Sequence, residues 1–252
     1  MDIAASSAIV VGGSRGLGLA VVEALVARGV KATVVARDRA RLDAVAARLG
    51  VAAVAADATD GAKARELIAE TQADAVVFAA GAVPPTAPIN AISWEDFSTP
   101  WLTDARGALM WLQAALNVPM RKGSRFVTMS SGAAIGGSPM SGGYAGAKRM
   151  QWFATNYAAA LSEQSGLGVN FQTFVTAQMI AGTAVGDAGS LAYSRRMGIT
   201  QAAFLERFGK PLTPADVGEA VARLLSDPSL EKARAFRFNG ADGLVAIEPA
   251  AA

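Results

Sequence analysis

The 252-residue sequence has no cysteine and no histidine. The first absence excludes disulfides and thiol nucleophiles. The two together exclude Cys/His metal sites and any triad whose base is an imidazole. The chemistry available is that of hydroxyls, carboxylates, Lys and Arg. Charge is also sparse, at 17% of residues. The formal charge of +2 and pI near 9.1 come from scattered Lys and Arg with no block of like charge, so no nucleic-acid partner is expected. Long apolar runs are missing as well. Mean hydropathy is +0.31, yet every apolar stretch is broken within about twenty residues by charge, Gly or Pro, as at Arg28, Lys31 and Arg37, so no membrane span is expected. Residues 1–7 lack a basic region followed by an apolar core, which makes the cytoplasm the expected location.

What is present is a chain 52% hydrophobic with 26 Gly, the composition of a packed globular protein. Short apolar runs bounded by Gly or Asp alternate with longer stretches at helical spacing, the pattern of a parallel sheet with crossover helices. It predicts strands near 8–11, 32–36, 52–56, 75–79, 124–129, 168–175 and 235–238. It predicts helices near 16–28, 39–49, 62–71, 99–120, 144–165 and 215–225, the last announced by Thr213-Pro214 and Asp216. No linker or repeat divides the chain. The expectation is therefore one α/β domain over 1–252, a Rossmann-type doubly wound parallel sheet of about seven strands with helices on both faces.

The first strand runs into Gly12-Gly13-Ser14-Arg15-Gly16-Leu17-Gly18 and then a helix. A dinucleotide pyrophosphate can sit at such a turn, against free amides and the positive end of the helix dipole. The spacing G-x-x-x-G-x-G differs from G-x-G-x-x-G, and the turn would equally serve tight strand–helix packing. After the second strand comes Arg37, where NAD enzymes present an acid to the ribose. Arg suits a 2'-phosphate, and Arg15 offers a second charge, so NADP(H) is the expected cofactor, while Asp38 leaves NAD open.

Val127-Thr128-Met129-Ser130-Ser131 ends a strand, and Tyr144-Ala145-Gly146-Ala147-Lys148 follows. At i and i+4 on a helix, Tyr144 and Lys148 share a face, close enough for the ammonium to lower the phenol pKa from its reference of about 10. Such a phenol can donate a proton to a carbonyl oxygen as hydride arrives and take it back in reverse. A Tyr and a Lys at this spacing are also a common surface pair; here the company of the glycine turn, the basic strand end and the serine gives them weight.

These motifs in this order resemble the short-chain dehydrogenase/reductase family in its single-domain form, over nearly the whole chain. Residues 12–18 are similar to its TGxxxGxG loop, with Val11 in place of the usual Thr. Ser131, Tyr144 and Lys148 match its catalytic Ser, Tyr and Lys. The resemblance implies that Ser131 orients the carbonyl and that Lys148 also holds the nicotinamide ribose. Asp57-Ala58 resembles the pair that holds the adenine.

The sequence departs from the family in three places. Phe78-Ala79-Ala80-Gly81 stands for Asn-Asn-Ala-Gly, leaving backbone contact of Ala79 or Ala80 with the adenine-side ribose but removing side-chain support of the sheet. Asp104 falls on an Asn that holds a proton-relay water. It is a lesser catalytic candidate, able to hold water and to raise the pKa of nearby acids. Thr176 to Thr183 replaces a Pro-Gly turn, and Thr183 is the residue offered for contact with the nicotinamide carboxamide.

Residues 182–210 carry Leu191, Tyr193, Met197, Ile199, Phe204, Leu205 and Phe208. They imply a mobile apolar lid and a hydrophobic carbonyl or alcohol substrate, or else the ordinary packing of a helical excursion. Trp101, Leu109, Trp111, Leu112, Met150, Trp152, Phe153 and Tyr157 give two helices apolar residues on more than one face, which points to a partner. The resemblance makes that partner a second copy, in a homodimer or homotetramer. A second reading of the whole, prompted by the missing Asn pair and by Asp104, is a catalytically idle NADP(H)-binding sensor.

Overall fold

The structure, a computed structural model, describes residues 6–248. The strands are β1 (Ser7–Val11), β2 (Lys31–Ala36), β3 (Ala52–Ala55), β4 (Ala75–Phe78), β5 (Arg125–Ser131), β6 (Asn170–Thr176), β7 (Ala235–Asn239) and β8 (Gly243–Ala246). They form one sheet in the order β3-β2-β1-β4-β5-β6-β7-β8, parallel throughout except for the β7–β8 pair. The principal helices are α1 (Gly16–Val26), α2 (Arg39–Leu49), α3 (Gly61–Thr71), α4 (Trp94–Pro100), α5 (Arg106–Asn117), α6 (Ala133–Gly136), α7 (Gly142–Gln164), α8 (Ala184–Met197), α9 (Gln201–Glu206) and α10 (Pro214–Ser226).

Alternation along the strands divides the core in two. Val10 of β1 joins Val21, Leu25, Val34, Val221 and Phe236 on one face of the sheet. Ile9 and Val11 point the other way, to Ile68, Trp111, Phe126 and Phe171. Both faces are covered, as a parallel sheet requires. The chain from β1 turns back to β2 on one side, while β4 follows on the other. The loops after β1 and β4 therefore diverge, and a crevice opens at the carboxyl ends of these strands.

Among the described residues the sheet has eight strands where about seven were expected. The eighth is a four-residue antiparallel edge, closed by a turn in which Asn239 Oδ1 accepts from the amides of Ala241 (3.0 Å) and Asp242 (2.7 Å). The helix expected over 99–120 begins earlier and is interrupted. Ser93 accepts from Asp96 N (3.1 Å) to cap α4. Pro100 then supplies no amide, and its ring crowds the carbonyl four residues back. The chain passes through a five-residue π-helical turn (Trp101–Ala105) before α5.

Residues 182–210 are largely helical, α8 and α9 each beginning at a threonine cap, Thr183 and Thr200. Of the residues expected to face a partner, Trp111, Leu112 and Trp152 are buried inside the chain, while Trp101, Leu109 and Tyr157 are exposed. At the amino end of β5, Arg125 is buried. It donates to the Leu224 carbonyl (2.6 Å) and pairs with Glu231. Gln172 of β6 donates to the carbonyls of Leu230 (2.7 Å) and Ala233 (2.8 Å).

Candidate active site

The turn after β1 is shaped by what its glycines must avoid. A Cβ on Gly18 would stand 2.3 Å from the Gly12 carbonyl oxygen, and one on Gly12 2.6 Å from Ala80 N. Gly12 also has φ +84°, which an L side chain rarely adopts. The turns after β1 and β4 therefore touch through main chain, helped by the Ala79 amide donating to the Val11 carbonyl (2.8 Å). Arg15 precedes α1 without a side-chain cap, and the Cβ direction of Gly16 is open for 4 Å. The helix start thus presents amides and positive dipole to the crevice with room for an anion. This donor set fits a dinucleotide diphosphate.

Beyond the turn lies a single cleft of about 1120 Å³. The glycine turn, Ser14, Arg15 and Leu17 line one end, with Arg37, Asp57 and Ala58 at its rim; Ala79, Ala80 and Gly81 form the floor; Asp104, Ser131, Tyr144, Lys148 and Thr183 line the other end. The residues singled out in the sequence thus surround one space. Asp57 Oδ1 accepts from Thr59 N and Thr59 Oγ1 (both 2.8 Å), and these bonds, then the charge of Arg37, hold its carboxyl below the usual range against the pull of partial burial. Arg37 itself stands 3.8 Å from Asp57, and both are exposed. Asp38 also lines the cleft, where it caps α2, accepting from Arg41 N (3.1 Å) and pairing with the Arg41 guanidinium (3.0 Å).

Tyr144 and Lys148 project from one face of α7, with the ammonium 5.6 Å from the phenol ring centre. Lys148 is buried, and its Nζ donates to the Met129 carbonyl (3.3 Å) and lies 3.1 Å from Asp104 Oδ2. Burial pulls the lysine pKa down, but the Asp104 carboxylate and then Tyr144 outweigh it, so the pKa is raised. Ser131, at the end of β5, accepts from Ala133 N (3.3 Å). Thr183 caps α8, accepting from Gly186 N (3.0 Å) and donating to the Ile180 carbonyl (2.8 Å).

Sequence reasoning missed Ser138 and Ser141. Their hydroxyls meet at 2.6 Å, and Ser138 also meets the Tyr193 hydroxyl at 2.6 Å, joining the turn before α7 to α8 inside the cleft. The only sequence signal was their place in a Gly/Pro-rich stretch just ahead of Tyr144. Tyr193 stacks on Phe204, ring centres 5.7 Å apart, and Phe208 meets Phe204 edge-on, so residues of α8 and α9 and the turn after them supply an aromatic wall of the cleft. Side-chain support at the β4 turn, expected to be lost with the Asn pair, comes instead from Asp104, whose Oδ1 accepts from Ala82 N (2.8 Å).

A family profile described as enoyl-(acyl carrier protein) reductase matches residues 11–230. The chain is 30% identical over 180 residues to galactitol 2-dehydrogenase of Agrobacterium fabrum, covering 65% of this chain and 67% of the relative. It is 31% identical over 179 residues to 2,5-dichloro-2,5-cyclohexadiene-1,4-diol dehydrogenase of Sphingobium indicum, covering 67% and 71%. In fold it is similar to a 3-ketoacyl-(acyl-carrier-protein) reductase from Brucella melitensis solved with NADH, at TM-score 0.79 and 19% identity over 95% of this chain and 98% of that one. A structure described as a short chain dehydrogenase/reductase family protein gives TM-score 0.73 at 22% identity, over 93% and 95%. With its sheet order, its glycine turn and its Tyr144–Lys148 pair on α7, the chain belongs to the short-chain dehydrogenase/reductase family of nicotinamide-dependent oxidoreductases.

Proposed function

We propose that this protein is an NADP(H)-dependent reductase of ketones or aldehydes with apolar bodies, working also in the alcohol-oxidising direction. The observation that carries the reading is the Tyr144–Lys148 pair, opening into the same cleft as the glycine turn. When bound, the cofactor supplies or accepts a hydride at the substrate carbon. Tyr144 Oη gives its proton to the carbonyl oxygen in reduction and takes it back in oxidation. Ser131 Oγ holds that oxygen, and Lys148 sets the phenol and reaches the nicotinamide ribose. The amides at the start of α1, with Arg15, hold the diphosphate, and Asp57, Ala58 and the main chain of Ala79 to Gly81 hold the adenosine.

Selection of NADP(H) is supported by the basic rim. Asp38 is engaged as a helix cap, while Arg37 projects with 71% of its side chain exposed and Arg15 stands across the turn. The apolar substrate is supported by Tyr193, Phe204 and Phe208, which make the lid of residues 182–210 one wall of the cleft. Thr183 stays in the proposal as a neighbour of the carboxamide. The dehydrogenase names of the two relatives agree with an alcohol–carbonyl pair. A homodimer or homotetramer in the cytoplasm completes the proposal, supported by the exposure of Trp94, Trp101, Leu102 and Tyr157 on the outer helices.

The test is a panel of apolar ketones and aldehydes, followed by loss of nicotinamide absorbance with NADPH and with NADH. Turnover preferring NADPH is expected. Preference for NADH overturns the cofactor assignment, and NADPH binding with no turnover of any member favours the idle sensor.

A further inference from the structure

The reaction proposed above leaves one buried carboxylate without a task. Asp104 sits in the π-helical turn, 0% exposed, and its contacts come from three parts of the chain. Oδ1 accepts from Ala82 N (2.8 Å), in the loop after β4, and from Thr103 Oγ1 (2.8 Å). Oδ2 has no hydrogen-bond partner of good geometry, and it faces Lys148 Nζ at 3.1 Å. The Asp104 carbonyl accepts from Gln151 Nε2 (2.9 Å), one turn beyond Lys148 on α7. Gly81 is cut to the same shape: a Cβ there would stand 2.7 Å from Oδ2.

A lone carboxylate in such a place would be driven to take up a proton, since burial without a partner strongly disfavours the charged form. The neighbouring ammonium has the same difficulty with the opposite sign. Each offsets part of the other's penalty, and among the described residues neither has another ion-pair partner. The groups facing the ammonium are the Asp104 carboxylate from the π-helical turn, the Tyr144 phenol from α7 and the Met129 carbonyl from β5.

We propose that Asp104 is a positioning residue for this oxidoreduction, holding the Lys148 ammonium against the end of β5 and fastening the loop after β4 to the same point. The proposal rests on the reductase reading. It differs from a proton-relay role, because the side chain acts through its charge on Lys148 and its bond to Ala82. The pair makes the site electrically neutral beside the phenol. It also couples the floor of the cleft, at Gly81 and Ala82, to the helix that carries Tyr144. A displacement of either is felt by the other through two bonds.

The sign of the pH effect follows. With the carboxylate gone, burial is left to pull Lys148 down against the phenol alone, so the lysine gives up its proton at lower pH. The test compares the full-length protein with Asp104→Asn, which keeps an oxygen for Ala82 N and loses the charge. The Cε signal of Lys148 is followed against pH by NMR, identified by its absence in Lys148→Arg, and the pH profile of kcat is measured beside it. In Asp104→Asn the lysine is expected to titrate about one to three pH units lower. The alkaline limb of kcat should follow it.

Should the Asn variant fail to fold, Gly81→Ala presses on Oδ2 without removing charge, and the same readout should move in the same direction by less. An unmoved Lys148 titration in the folded variant overturns the role of Asp104, whatever the turnover. The NMR titration needs no substrate, so a clear shift in a protein that reduces no carbonyl overturns the reductase reading instead, and the positioning role with it.

Discussion

The two ends of the cleft are made of different material. At the proposed nucleotide end the wall is main chain: Gly12, Gly18 and Ala80 approach closer than any side chain would allow, and charge comes from Arg15, Arg37, Asp38, Arg41 and Asp57. At the proposed substrate end the wall is side chain, with Ser131, Ser138, Tyr144, Tyr193, Phe204 and Phe208 around the opening. A main-chain wall recognises what every nucleotide of a class shares, and it tolerates little change. A side-chain wall can be rewritten residue by residue, so choice of substrate belongs there.

The contrast can be broken most forcefully at the substrate end. Tyr144→Phe keeps the ring and removes the proton, so kcat/KM for a substrate found in the panel should fall by about a hundred- to ten-thousandfold. NADPH affinity, read by fluorescence titration, should change little. Ordinary turnover in this variant sinks the mechanism.

Gly18→Ala attacks the other material. Its methyl meets backbone at 2.3 Å, so the turn must shift. Thermal or urea unfolding should show a loss of about 1–3 kcal/mol, as overpacking does elsewhere, and NADPH and NADH should weaken together. A variant as stable as the parent with unaltered binding of both would show that the close approach is dispensable.

Arg37→Ala sharpens the picture by acting on the rim alone. If the guanidinium meets a 2'-phosphate, NADPH should weaken about tenfold, the low end for a charged hydrogen bond of about 1.5 kcal/mol, with NADH nearly unchanged. Equal losses for the two would remove the assignment. The smallest effect is expected for Tyr193→Phe, which keeps the stack on Phe204 and breaks the bond to Ser138. A loss near 1 kcal/mol or less predicts a several-fold rise in KM with kcat nearly kept, and no change in KM at all would detach this bond from substrate binding.

The seven parallel strands and the glycine turn were legible because each depends on local pattern: apolar runs of strand length, and a spacing only a tight turn needs. α8 was not, for a physical reason. Its inward residues include Gly186, Ser190 and Ser194, so no apolar stripe marks it, and only its cap Thr183 and its terminator Gly198 announce a helix. β8 is short, lies at an edge and is partly exposed, which leaves little pattern to read. The partners of Asp104 lie 22 and 44 residues along the chain, and topology alone brings them together. The exposed face of the outer helices was overestimated because Trp111 and Trp152, counted toward a partner, fill the protein's own core.

The buried Arg125 has a consequence for how the chain is made. Its partner Glu231 is synthesised 106 residues later, and the carbonyls that Gln172 needs also belong to that late segment. The base of the strand that ends in Ser131 is therefore completed by a segment far along the chain, and β5, α10 and the stretch after it close as one network when that segment docks.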